Sequence, residues 1–237
     1  MTSYADWVLQ PTLPDRSAPA TASCVVCGTQ RSGTWLLCGL LASTGAAGRP
    51  HEWFSPVTAR PARDQWQVDT EDDYLEAVLR AGTTDNGIFG VKVMWNDVGR
   101  LEQALPRLPD PHYVWLRRDD VVAQAVSWAL AGQSGLYHEW DGAGPQREPP
   151  FDRKEVDGFV QLVKAHTAGW AEWFRNRGIE PLLLRYEDLL ARPTDETERV
   201  LAFLGVETQG PIAVQTRASA NGHAEDWIRR YRETAQA

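Results

Sequence analysis

A short apolar run, Cys24-Val25-Val26-Cys27, leads into Gly28-Thr29-Gln30-Arg31-Ser32-Gly33-Thr34 and then into Trp35-Leu36-Leu37-Cys38-Gly39-Leu40-Leu41. Four buried residues suit a strand, glycines break the run, and the last segment has the length and composition of a helix. This order commits the chain to a βα unit. The glycines have P-loop spacing, G-x-x-x-x-G, in which backbone N–H groups and a helix N-terminus cradle phosphate oxygens. Thr34 stands where a nucleoside triphosphatase has lysine, and the basic residue lies inside the loop as Arg31. An anion cradle survives that change, but the lysine that reaches the β- and γ-phosphates is gone. On the loop alone, a glycine-rich turn with a solvated Arg31 remains an alternative. A Rossmann dehydrogenase is disfavoured, because G-x-G-x-x-G spacing is absent.

The βα order returns at Gly87-Ile88-Phe89-Gly90-Val91-Lys92-Val93-Met94, and again where His112-Tyr113-Val114-Trp115-Leu116 precedes Asp119-Asp120-Val121-Val122-Ala123-Gln124-Ala125-Val126. Two acids suit the start of that helix. Leu182-Leu183-Leu184 reads as a further strand after a helical stretch over about 151–174, with Val156, Phe159, Val160 and Val163 on its apolar face. The expected fold is α/β: a P-loop-like three-layer architecture with a mainly parallel central sheet flanked by helices. Ligands of such sheets bind outside the carboxyl ends of the strands. With no repeat at 20–50 residues, 237 residues and 43% hydrophobic content, residues 1–237 read as a single domain rather than a solenoid or a disordered chain. Within it, residues 1–21 read as a flexible N-terminal arm. Residues 133–150, rich in glycine and proline, read as an irregular acceptor loop or lid.

A net charge of -8 excludes the positive field of a general nucleic-acid binder while leaving room for a local anion pocket. The first residues carry neither a basic and apolar leader nor a membrane-length apolar run, so no membrane association is expected and the location is read as cytoplasmic. Cys24 and Cys27 form a C-x-x-C, but three residues apart on a strand they face opposite ways. Buried thiols are expected there, and no metal.

The loop Gln30-Arg31-Ser32-Gly33-Thr34 resembles the 5′-phosphosulfate loop of sulfotransferases that use 3′-phosphoadenosine-5′-phosphosulfate (PAPS), in particular the bacterial trehalose 2-sulfotransferase-like group. Three more segments agree in order. Gly45-Ala46-Ala47-Gly48-Arg49-Pro50-His51-Glu52-Trp53-Phe54 resembles G-x-x-G-x-P-x-E-[FW]-F, and Gly90-Val91-Lys92-Val93-Met94-Trp95-Asn96 resembles G-x-K-x-M-W-N. Arg118-Asp119-Asp120-Val121-Val122-Ala123-Gln124-Ala125-Val126-Ser127 resembles R-x-D-V-V-x-Q-A-V-S, the 3′-phosphate segment. The likeness extends over most of the chain, from about Cys24 to Tyr231.

The resemblance implies in-line transfer of a sulfuryl group from PAPS to a hydroxyl of a small-molecule acceptor, a sugar or a secondary metabolite, leaving adenosine 3′,5′-bisphosphate. Gln30, Arg31, Ser32, Gly33, Thr34, Arg118 and Ser127 would bind the nucleotide, with Arg217 a further contact near a closing segment that includes Trp227, Arg230 and Tyr231. Arg31 and Lys92 would stabilise charge on the sulfate and Glu52 would be the general base; a homodimer is also suggested. Where many PAPS enzymes carry a base histidine after the strand lysine, this chain has Met94, which cannot accept a proton. His51 is the rival base. His51, Trp53, Phe54, Trp95, Tyr137 and Trp140 are the candidate acceptor contacts, whereas Trp115, Trp128, Trp170 and Trp173 read as core.

Several readings stay open here. An arginine fork and a hydroxyl suit a phosphate monoester, yet Arg118 could pair with Asp119 or Asp120, and Arg117 competes for the same role. Lys92, in an apolar strand, points to a nearby anion or to a buried acid. Trp35 departs from the family, which usually carries a second hydroxyl residue there. Two other classes share the cradle: a P-loop kinase or triphosphatase, which should need Mg²⁺ and a loop lysine, and a non-catalytic adenine-nucleotide-binding protein.

Overall fold

The structure, a computed structural model, describes residues 13–14, 18–135, 149–213 and 222–234. In chain order the elements are β1 (Ala22–Gly28), α1 (Thr34–Ser43), α2 (Pro56–Trp66), α3 (Glu71–Gly82), β2 (Ile88–Met94), α4 (Val98–Ala104) and β3 (Pro111–Arg117). They continue with α5 (Val121–Ser134), α6 (Arg153–Arg177), β4 (Leu182–Arg185), α7 (Tyr186–Ala191), α8 (Pro193–Phe203) and α9 (Gly222–Thr234).

The strands pair in parallel in the order β2-β1-β3-β4. Both faces are covered, which is why β1 and β2 are apolar almost throughout instead of alternating. On one face Val25, Cys27, Phe89, Val91, Val93, Tyr113 and Trp115 pack against side chains from α3, α4 and α6. On the other, Cys24, Val26, Val114, Leu116 and Leu184 pack against α1, α7 and α8. Cys24 and Cys27 therefore lie on opposite faces as free, buried thiols. Burial, the leading cause, raises both above the ordinary thiol range. A third cluster joins α5, α6 and α9 through Val126, Val156 and Trp227.

Strand order also fixes where a ligand can sit. The chain leaves β1 for β2 on one side and leaves β3 for β4 on the other, so the carboxyl ends of β1 and β3 flank the point where the winding reverses. The loop at residues 28–34 and Arg118 both emerge there.

Helix limits follow local chemistry. Asp120 caps α5 by accepting from Ala123 N at 3.0 Å, and Asp152 caps α6 by accepting from Lys154 N at 2.8 Å. Two expectations change. The irregular segment does not begin at residue 133: α5 runs through Ser134 and closes on Gly135, whose left-handed φ of 71° lets its N–H donate to Ala131 O at 2.9 Å. Of the supposed free arm, Leu13 packs on the core, Pro14 O accepts from Arg80 at 2.7 Å and Thr21 N donates to Gly87 O at 2.8 Å, so these residues are docked.

Candidate active site

The first half of the glycine loop is anchored from two helices. Trp170 Nε1 donates to Gly28 O at 2.8 Å, fixing the end of β1. Gln124, almost wholly buried on α5, donates from Nε2 to Thr29 Oγ1 at 2.6 Å and to Gln30 O at 2.7 Å. Arg31 and Gly33 both take left-handed backbone (φ 63° and 92°), a curvature that turns successive N–H groups toward one concavity. Gly33 is also sterically required, because a Cβ there would lie 2.3 Å from the Tyr186 ring. Helix α1 starts at Thr34 with no side-chain cap, unlike α5 and α6, and with no acid in its first turn. Its first N–H groups and the positive end of its dipole are thus available to an anion.

The second half of the cradle comes from β3 and α5. Arg118 lies over the Tyr186 ring at 4.6 Å, with Nη1 3.5 Å from Arg31 O. It does not collapse onto its acidic neighbours: Asp119 pairs with Arg185 and Asp120 with Arg232, and Glu187 accepts from both of their backbone N–H groups. Arg117 lies instead over Trp115, away from the loop. Ser127 Oγ accepts from Arg31 Nε at 3.0 Å, so α5 does run beside the loop. Among the described residues, Ser32 Oγ, Gln30 Oε1 and Arg118 Nε are buried with no hydrogen-bond partner. Of these, the Ser32 hydroxyl and Arg118 Nε are donors, and beside a concavity of backbone N–H groups they suit a phosphate-like anion, whereas the Gln30 amide oxygen is an acceptor and does not.

The third component lies at the end of β2, on the sheet's edge. Residues 48–53 run along that edge, with Lys92 N donating to His51 O at 2.9 Å. Gly90 permits the approach, since a Cβ there would sit 2.7 Å from Arg49 N and Pro50 N. Lys92, only 3% exposed, places Nζ 2.9 Å from Glu52 Oε1, and Glu52 is 30% exposed. The buried ammonium is therefore paired with a half-buried carboxylate, and the pair joins two of the residues expected in catalysis. Lys92 Nζ also lies 5.0 Å from the centre of the Trp35 ring. Close by, burial raises the Asp97 carboxyl, the Arg100 charge opposes this and the Glu52 charge adds to it.

Of the expected acceptor contacts, Trp53 and Phe54 are core residues instead. Trp53 is fully buried, donates Nε1 to Gly90 O at 3.0 Å and packs on Trp66, while Phe54 lies in the same cluster. An indole whose faces and N–H are all engaged internally has nothing left for a ligand. His51 is buried edge-on against Trp53, so of the adjacent pair it is Glu52 that reaches the open side. Trp95 packs on Trp170 at 5.4 Å and remains partly exposed. Tyr137, Trp140 and Arg217 lie outside the described residues. Two residues of the site carried no expectation. Gln124 had a signal, an amide in an otherwise apolar helical run beside the loop, whereas Tyr186 had none, since it enters from the end of β4.

Comparison with known proteins gives this geometry a family. A sequence model of the Stf0 sulphotransferases matches residues 23–234. The chain belongs to that family. A trehalose 2-sulfotransferase from Mycobacterium tuberculosis is 28% identical over 252 residues, covering 89% of this chain and 94% of the relative. Another from Mycolicibacterium smegmatis is 29% identical over 257 residues, covering 90% and 95%. Among solved structures, a sulfotransferase domain from the curacin biosynthetic pathway aligns with a TM-score of 0.57 at 16% identity, over 88% of this chain and 83% of that one, which shows the shared fold. As a Stf0 sulphotransferase the chain is a transferase enzyme with the P-loop-like α/β fold, and the kinase and purely binding alternatives fall away.

Proposed function

We propose that the enzyme moves a sulfuryl group from PAPS to a hydroxyl of a small-molecule acceptor, with Glu52 as general base. The observation that carries this reading is the Glu52–Lys92 pair, held at 2.9 Å at the carboxyl end of β2 beside the phosphate loop. When bound, PAPS supplies the sulfuryl group and leaves as adenosine 3′,5′-bisphosphate.

The loop amides of 30–34, Ser32 Oγ and the α1 N-terminus would hold the 5′ end, and Arg118 with Ser127 the 3′-phosphate. Arg31, which already bridges to Ser127, and Lys92 would meet the negative charge that develops on the transferred and leaving oxygens. Glu52 takes the acceptor's hydroxyl proton as the new O–S bond forms and the bond from sulfur to the 5′-phosphate oxygen breaks. In-line alignment and fixed cations supply most of the acceleration, as in phosphoryl transfer.

Trp95 would face the acceptor, together with Tyr137 and Trp140, and Arg217 would add to the nucleotide contacts. The acceptor is a sugar or a secondary metabolite; the named activity of the two relatives makes trehalose the first compound to try. The reading takes residues 1–237 as one catalytic unit working in the cytoplasm as a homodimer.

Glu52→Gln keeps size and hydrogen bonding but removes the basic oxygen. It should abolish turnover while leaving calorimetric binding of adenosine 3′,5′-bisphosphate within about twofold, since acid–base catalysis contributes about 10²–10⁴-fold. Unchanged turnover would remove Glu52 from the mechanism. A requirement for Mg²⁺ in nucleotide binding would count against PAPS as donor.

A further inference from the structure

Lys92 poses a problem that the Glu52 reading creates. Its ammonium is 3% exposed and is balanced by the Glu52 carboxylate. When Glu52 takes the acceptor proton that charge disappears, and a buried ammonium without a partner is costly. The transferred group can share the cation, but only if the ammonium stays where it is as its counter-ion vanishes.

The fold supplies a second partner. Val91 and Val93 pack on the face covered by α3, α4 and α6, so by strand alternation Lys92 rises on the α1 face. Trp35, in the first turn of α1, presents its ring there with Lys92 Nζ 5.0 Å from its centre. That distance lies within cation–π range, and low exposure strengthens the attraction. An aromatic face, unlike a carboxylate, keeps its quadrupole whether or not a proton has moved. Trp35 is itself seated: its ring packs against the cluster that contains Leu37, Leu40 and Leu41. It also immediately follows the loop residues 28–34, so it ties the position of Lys92 to the phosphate cradle.

We propose that Trp35 is a positioning residue for the transfer step, a partner for Lys92 that is independent of protonation and keeps its ammonium in place when Glu52 becomes neutral. The proposal rests on Glu52 being the base. It predicts an effect on kcat more than on nucleotide binding, because the contact matters most after the proton has moved.

The test uses the full chain with Trp35→Leu, which keeps apolar bulk without a π face, and Trp35→Phe, which keeps one. Trp35→Leu should lower kcat about 5- to 30-fold, the span of a desolvated cation–π contact, with KM for PAPS and affinity for adenosine 3′,5′-bisphosphate within about twofold. Trp35→Phe should recover most of the loss. A second readout needs no turnover. The chain has three lysines, Lys92, Lys154 and Lys164, and the last two are exposed. With ¹³C-labelled lysine, the Cε protons of Lys92 should be shifted upfield by the indole ring current, stay shifted in Glu52→Gln, which imitates the protonated base, stay shifted in Trp35→Phe, and return to the exposed position in Trp35→Leu.

Unchanged kcat in Trp35→Leu, equal losses in both Trp35 variants, or a Lys92 signal that is not shifted in the wild type or moves back in Glu52→Gln would each overturn the proposal. The two readings separate cleanly. Full turnover by Glu52→Gln with the ring shift intact would sink the base and this role with it but leave the contact. An inactive Glu52→Gln with no ring shift would sink the Trp35 role alone.

Discussion

Replacing Gly33 by alanine asks whether the phosphate loop and the Tyr186 ring form one packed unit. Two separate costs can be read from the structure. Gly33 sits at φ 92°, ψ 9°, where an alanine loses about 1–2 kcal/mol to left-handed backbone strain. Its new Cβ would also stand 2.3 Å from Tyr186 Cδ2 and 2.8 Å from Cε2, so the ring would have to move by roughly 1 Å to restore ordinary contact. Overpacking of that kind costs about 1–3 kcal/mol, which brings the total to about 2–5 kcal/mol.

The ring costs can be switched off separately. In a Tyr186→Ala background only the backbone strain of about 1–2 kcal/mol should remain, giving a coupling of about 1–3 kcal/mol in a double-mutant cycle. Urea unfolding of the four proteins measures it. Because Arg118 rests on the same ring at 4.6 Å, Gly33→Ala should also weaken adenosine 3′,5′-bisphosphate binding by about tenfold or more, the loss of roughly one charge-assisted contact. A coupling below about 0.5 kcal/mol would mean that loop and ring are energetically independent, and the packed-unit argument would be wrong.

Gln124→Leu would leave Thr29 Oγ1 and Gln30 O without their buried donor, and should lower stability by about 1–3 kcal/mol in urea unfolding while weakening nucleotide binding through the loop. Wild-type stability would show that the loop holds its course without the amide. His166 is buried against Trp128, and burial lowers its titration below the usual 6.5. The unfolded chain then binds the proton first: the contribution of His166 is fully present above about pH 6.5 and is lost as pH falls toward the depressed folded value. Unfolding free energies measured from pH 7.5 to 5 should fall less steeply for His166→Leu than for the wild type, and parallel slopes would exclude the effect.

Local chemistry decides a good deal of this molecule. The loop, its flanking strand and helix, the opposed cysteines and the Arg118-to-Ser127 segment were all legible because each depends on neighbours within about ten residues: hydrophobic period, glycine spacing, helix caps. The pairing of Glu52 with Lys92 was visible only as an unpaired question, a lysine in an apolar strand in want of an anion. Arg117 and Arg118 competed for one role in the sequence, and only the structure shows Arg117 drawn onto Trp115 while Arg118 lies over Tyr186 beside the loop.

What the chain's local pattern could not decide is which side chains are used up by packing. Trp53 and Phe54 stand next to Glu52 in sequence and looked like acceptor contacts, but the segment that carries Glu52 lies along the edge of β2 and turns their rings into the core. Tyr186 and Gln124 reach the loop from positions 153 and 91 residues beyond Gly33, along β4 and α5, and only sheet order brings them there. Burial and long-range hydrogen bonding are properties of the assembled layers. A sequence states which residues can bind an anion or a ring; the sheet, by covering both faces, determines which of them still have a free side to do it with.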